Sequence, residues 1–160
     1  LTQSAIQQAD LVFAVEPFRQ AYADAPALLR THWREIAKNK ELLTLNPDEA
    51  FYDKADQSGT ILIVTARHQG ALVGYFLWYM IPRHPHYAHV RVAEAGIHFL
   101  LPEYRRGLNG YRLVREACRF AVEAGARFLT IRYKLAHDHP ELMRRLGFDR
   151  TDVTYTRAET

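Results

Sequence analysis

Apolar positions recur at helical spacing through the first third of the chain and at strand spacing after it. Leu11, Val12, Val15, Phe18 and Tyr22 fall on one helical face, and Pro17 must begin a turn or kink that segment. Leu29, Trp33 and Ile36 continue the period through PALLRTHWREIAKNK. Asn46-Pro47 opens a short helix with Asp48 and Glu49 in its first turn, and Gln57-Ser58-Gly59 stops it. Residues of about 8–57 therefore read as helical.

From Thr60 the texture changes. Thr60 to His68 and Ala71 to Ile81 are β-branched and aromatic runs split by Gln69-Gly70, a hairpin signal. Tyr75, Phe76, Trp78 and Tyr79 make both faces of the second run apolar, as in a central core strand. After a turn-rich loop, Pro82 to Tyr87, a third strand is expected over His89 to Leu101. Its alternation slips: Val90 and Val92 share one phase, Ala95, Ile97, Phe99 and Leu101 the other. A bulge or kink near Glu94–Gly96 accounts for the slip. A helix follows with core face Leu113/Val114, Ala117 and Ala121, stopped by Gly125. Strands over Arg127–Lys134 and Phe148–Arg157 and a short helix over Pro140–Leu146 complete the pattern. This order predicts an α/β (α+β) chain, a mixed sheet with helices packed on it.

Composition narrows the class. At 160 residues, 48% hydrophobic and 24% charged, the chain fits one globular domain and excludes collagen-like and disordered classes. Cys118 is the only cysteine, so no internal disulfide forms. Its apolar neighbourhood, Val114 to Val122, marks a structural thiol more than a nucleophile. The first ten residues lack the pattern of a signal peptide, and the longest apolar run, Ala71 to Pro82, is too short to span a membrane. A cytoplasmic location is the expectation.

Charge is unevenly placed. Residues 1–82 carry 7 Lys+Arg against 9 Asp+Glu, and residues 83–160 carry 14 against 9. Seventeen of the 21 basic residues are Arg, suited to forked contacts with phosphate and carboxylate. The second half is expected to face an anion. A nucleic acid fits that charge, but no groove-reading helix or stacking motif accompanies it.

The informative segment is IHFLLPEYRRGLNGYRL, residues 97–113: strand, glycine-containing turn, helix. Such a turn leaves the first N–H groups of the helix unpaired and aimed at one spot, where the macrodipole adds positive charge. Gly107 and Gly110 permit close backbone approach, and Arg105, Arg106 and Arg112 add full charges. A pyrophosphate suits this site. Elsewhere, His84, His86, Tyr87 and His89 form PRHPHYAH, whose spacing matches no tetrahedral metal pattern. No metal is expected there. The loop reads instead as a lining of a substrate pocket, with His86, Tyr87 and His98 as candidates.

Arg105-Arg106-Gly107-Leu108-Asn109-Gly110, with its lead-in Pro102-Glu103-Tyr104, resembles the signature of the GNAT superfamily of acetyl-CoA-dependent N-acetyltransferases. That signature is Arg or Gln, two residues, Gly, one residue, then Gly or Ala, between a strand and a helix. Leu108 departs from it, and the glycine stands one position early at Gly107. HDHPELMRRLGF, residues 137–148, is similar to the family's late motif through Arg145, Leu146, Gly147 and Phe148. HWREIAKNK, Asn46-Pro47-Asp48, TARHQGALVGYFLWYM and KLAHDHPELMRRLGF further resemble a branch encoded by phages and prophages.

The resemblance implies one mostly antiparallel, twisted sheet flanked by helices, in a single domain spanning 1–160. Its sheet and cofactor-binding part would be about 60–157. It implies acetyl-CoA as co-substrate and an amine acceptor: a small molecule, a lysine, an N-terminus or an aminoacyl group. Backbone groups of Phe99, Leu100 and Leu101 would pair with pantetheine, and amides of Arg106, Gly107, Leu108, Asn109, Gly110 and Tyr111 would hold the pyrophosphate, beside Arg105. Glu94, eleven residues before Arg105, matches the family's catalytic glutamate. Burial among apolar neighbours would make it a stronger base; the other reading is a strand-edge carboxylate paired with an Arg such as Arg91. The family's acid is often a Tyr where this chain has Met143, so Tyr133, His137 and His139 are the remaining donors, with water as another source. A GNAT-shaped binding protein or phage structural protein without activity is the alternative, and a homodimer is left open.

Overall fold

The computed structural model describes residues 10–159. Five strands form one sheet in chain order: β1 (Val12–Val15), β2 (Ile61–His68), β3 (Ala71–Ile81), β4 (Val92–Leu100) and β5 (Phe128–Thr130). The first three pairings are antiparallel and the last, β4 with β5, is parallel. Four helices accompany them: α1 (Phe18–Ile36), α2 (Glu49–Gln57), α3 (Asn109–Glu123) and α4 (Pro140–Arg145).

Alternation along β3 divides the core. Phe76, Trp78 and Met80 pack toward Leu113, Val114 and Ala117 of α3. Leu77 packs with Phe18 and Ala21 of α1 and Ala55 of α2 on the other face, where Tyr75 meets Leu28. Trp78 is fully buried, and its indole N–H donates to the Ala117 carbonyl at 2.9 Å, which locks α3 onto the sheet. The cap of α2 is Asp48, which accepts from the Phe51 N–H at 3.0 Å.

Three expectations are corrected. The start of the chain is not helical throughout: Val12–Val15 form β1, and α1 begins only after Pro17. The helical reading would bury Val12 and Val15, yet they are 65% and 44% exposed, while Phe13 turns to the core. Pairing with β2 is anchored by Glu16, whose carboxylate is held by Arg67 at 2.7 Å and Thr65 at 2.6 Å. Residues 8 and 9 of that expected helical part lie outside the described residues.

The strand expected over Arg127–Lys134 stops at Thr130, because the chain there leaves β4. The strand expected over Phe148–Arg157 is absent among the described residues. Its two apolar side chains past Phe148, Val153 and Tyr155, are 63% and 91% exposed, too little buried surface to hold a strand. The anticipated bulge is present. Leu77 faces Ile97 and Trp78 faces Ala95, so Gly96 is the extra residue.

Candidate functional site

The site begins where β4 and β5 part. They pair only from Val92–Phe128 to Glu94–Thr130, and beyond that point the strands diverge. The opening is a groove of ≈ 1230 Å³ between the second half of β4, the start of α3 and the segment running into α4. Leu101 N–H donates to the Val73 carbonyl of β3 at 2.9 Å. Antiparallel alternation then turns the backbone groups of Leu100 and His98 into the groove, and those of Phe99 toward β3. Of the three residues expected to pair with pantetheine, Leu100 alone presents its N–H there. Its carbonyl accepts from Arg105 Nε at 2.7 Å.

The glycine turn forms the closed end. Gly107 has φ +66°, the left-handed conformation that favours glycine, while Leu108 has φ −102° and ψ 9° and caps α3 without strain. The glycine displaced by one position thus takes the special conformation itself. The first bond of the helix is Arg112 N–H to the Leu108 carbonyl at 2.8 Å. Among the described residues, the N–H groups of Arg106 through Tyr111 have no partner, so six donors stand free at the helix start. Asn109 is buried and fastens the turn by donating to the Tyr104 carbonyl at 3.2 Å.

The arginines divide in role. Arg105 is held by Glu35 of α1 in a bidentate pair at 2.7 Å and lies over the Phe99 ring, so its charge is already matched. Arg112 is spent on the Leu11 carbonyl at 3.3 Å and the Asn109 side chain at 3.4 Å. Arg106 makes no such contact among the described residues.

His98, Tyr133 and His137 also line the groove. His98 stacks on Phe76 at 4.9 Å and meets the Tyr133 ring edge-on at 4.9 Å. Burial pushes His98 down to about 4, and His139 nearby adds to the effect. Burial likewise raises Tyr133 to about 12, so it keeps its proton at neutral pH. His137 is exposed at the rim.

Glu94 is placed differently from the expectation. His98 lies four positions further on, and an unbroken strand would put both on one face. The bulge at Gly96 reverses the phase, so Glu94 falls opposite Tyr79 on the α1/α2 face and His98 opposite Phe76 on the α3 face. Its side chain is 32% exposed, lies 3.5 Å from Arg132 and lines neither cavity. The pairing partner is Arg132 and not Arg91, which donates to the Ala124 carbonyl. His86 and Tyr87 are exposed and pack with His84 in a loop that lines neither cavity.

A second cavity, of ≈ 420 Å³, lies on the α1/α2 face. His32, Ile36, Ile97 and Lys134 line both cavities, which makes them the wall where the two meet. His32 is buried, stacked on Phe99 at 4.6 Å and bonded through Nδ1 to the Tyr75 hydroxyl at 2.6 Å. Burial, followed by the nearby His98, holds it down to about 4. Sequence reasoning overlooked His32. Its signal was a polar residue on the buried stripe Phe18, Ala21, Ala25, Leu28 of α1. Glu35 gave no such signal, since its partner lies seventy residues away.

A model described as the Acetyltransferase (GNAT) family matches residues 25–148. No curated protein sequence matches the chain significantly. Solved structures share the fold at low identity. A ribosomal-protein-alanine N-acetyltransferase from Brucella melitensis biovar Abortus 2308 aligns with TM-score 0.67 and 16% identity over 94% of this chain and 100% of that one. An aminoglycoside acetyltransferase from an uncultured soil metagenomic sample, in complex with sisomicin, gives TM-score 0.70 and 14% identity over 96% and 97%. A predicted acetyltransferase from Clostridium acetobutylicum, with acetyl-CoA, gives 0.67 and 12% over 93% and 96%.

Proposed function

Because the chain belongs to the acetyltransferase (GNAT) family, we propose that it transfers the acetyl group of acetyl-CoA directly to a primary amine held on the opposite side of β4. The observation that carries this reading is the meeting of two cavities at His32, Ile36, Ile97 and Lys134. One cavity ends at free helix amides suited to a pyrophosphate. The other opens at the point where an acetyl group carried along the groove would lie.

Acetyl-CoA supplies an activated acetyl thioester. The free amides of Arg106 to Tyr111 and the unpaired Arg106 side chain bind the diphosphate, and the groove-facing N–H of Leu100 orients and polarises the carbonyl. The amine nitrogen bonds to the carbonyl carbon as the carbon–sulfur bond breaks, and sulfur leaves with the bonding pair. Glu94 takes the surplus proton of the nitrogen through intervening water, since it lines neither cavity; it is the only acid in the five strands and lies on the amine's face. Tyr133, still protonated, donates a hydrogen bond to the departing sulfur and fills the place that Met143 leaves without a hydroxyl.

No acyl-enzyme is needed. Cys118 is half-buried and burial pushes its thiol up to about 11, leaving almost no thiolate at neutral pH. Initial velocities measured over both substrates are the test. Intersecting double-reciprocal lines are expected for direct transfer, and parallel lines would exclude it.

A further inference from the structure

The wall of the smaller cavity specifies the acceptor, granted the acetyl-transfer reading above. Aromatic and aliphatic side chains of α1, α2 and the sheet make most of it, among them Phe18, Tyr22, Tyr52, Leu77 and Ile97. The remaining side is the segment 37–47, which Trp33 holds by donating from Nε1 to the Leu43 carbonyl at 3.2 Å. Leu43 and Leu45 of that segment turn to the cavity. Among the described residues no Asp or Glu lines it, and Glu49, the acid beside Tyr22 at its edge, is paired with Arg19 at 3.3 Å. Its two charged side chains, Lys38 and Lys134, are both cations, and Lys134 stands at the junction with the groove, where its ammonium donates to the Ile36 carbonyl. Glu35, the acid nearest that junction on α1, is committed to Arg105.

We infer that the acceptor is a small primary amine on an aromatic or branched-aliphatic body, carrying no second positive charge. A cavity of this size accommodates such a body, and apolar walls stabilise it in proportion to the surface removed from water. The same walls favour the uncharged amine, the form whose lone pair forms the new C–N bond, because burial penalises the ammonium. A polyamine or an aminoglycoside would bring further ammonium groups into a pocket whose described lining holds two lysines and no carboxylate. Each would be buried without a partner. The pocket therefore rejects polycations by charge as well as by shape.

The test uses the full chain with saturating acetyl-CoA and follows release of the CoA thiol. 2-Phenylethylamine and 3-methylbutylamine are compared with spermidine and an aminoglycoside. The apolar amines are expected to exceed the polycations in kcat/KM by about 100-fold or more, the scale set by an unpartnered buried charge. Leu45→Glu, at a partly exposed position that an acid can occupy without unfolding the core, is expected to raise the rate with spermidine and lower that with 2-phenylethylamine. Equal or better rates with the polycations, or no change of preference in Leu45→Glu, would overturn the assignment. Calorimetric titration of acetyl-CoA into the same preparations separates the two levels. Intact cofactor binding with no turnover of either apolar amine overturns the pocket assignment alone, whereas absent binding overturns the acetyl-transfer reading beneath it.

Discussion

Glu94 and Gly107 are the residues at which the proposed chemistry is most directly tested. Replacing Glu94 by Gln removes the proposed proton acceptor and leaves the groove intact. We expect kcat to fall about 100-fold with acetyl-CoA affinity unchanged, measured by steady-state kinetics beside calorimetry. A kcat within a factor of two of the parent would remove Glu94 from the mechanism. Gly107→Ala forces a Cβ onto a residue at φ +66°. That costs about 1–2 kcal/mol locally and is expected to weaken acetyl-CoA about tenfold by moving the amides. At Arg67 the effect is on stability instead. Arg67→Met leaves the buried Glu16 carboxylate with Thr65 as its remaining side-chain partner and should destabilise the fold by about 3 kcal/mol in urea denaturation.

The element that decides the site is β4. Its bulge was legible in the sequence as a slip of alternation around Glu94–Gly96, because a one-residue insertion shifts every later side chain to the other face. The consequence for Glu94 and His98 was missed, since counting in twos across the bulge treats the strand as unbroken. Gly96 is tightly packed: a Cβ there would come within 2.7 Å of the Tyr79 ring and 2.8 Å of Leu77. Gly96→Ala is expected to cost about 1–3 kcal/mol through overpacking and to lower acetyl transfer by displacing Ile97 at the junction. Transfer at the parent rate would show that the bulge is mere geometry. The start of the chain was misread for a related reason. VFAV has no strand alternation of burial on its own, and only its pairing with β2 and the Glu16–Arg67 contact across fifty-one residues makes it a strand.

At the scale of the whole molecule, motif and tertiary contact contributed differently. The glycine turn and the core face of α3 are local patterns, so they could be read directly. The smaller cavity could not, since α1, α2, the segment 37–47 and three strands build it together. The same burial that shapes the site couples stability to pH. His32 and His98 are held down to about 4 in the fold against 6.5 unfolded, so the unfolded chain binds more protons between those values. Stability should be complete above pH 6.5 and decline as pH falls toward 4, before the lowered carboxylates Glu16 and Glu35 begin to contribute a further loss below 4.5. Thermal melts at pH 7.5 and 5 should show that decline, and His98→Phe should lessen it by removing one of the two titrations.

Acetyl transfer as proposed requires the groove between β4 and β5 to receive acetyl-CoA, and calorimetric titration with Arg106→Glu alongside the parent tests this most directly. Arg106 suits the purpose because its guanidinium holds no partner among the described residues, whereas Arg105 is bound to Glu35 and its loss would disturb the fold. Binding in the micromolar range, weakened at least about tenfold by Arg106→Glu, is the expected result. Absence of binding, or binding indifferent to that reversal of charge, would contradict it.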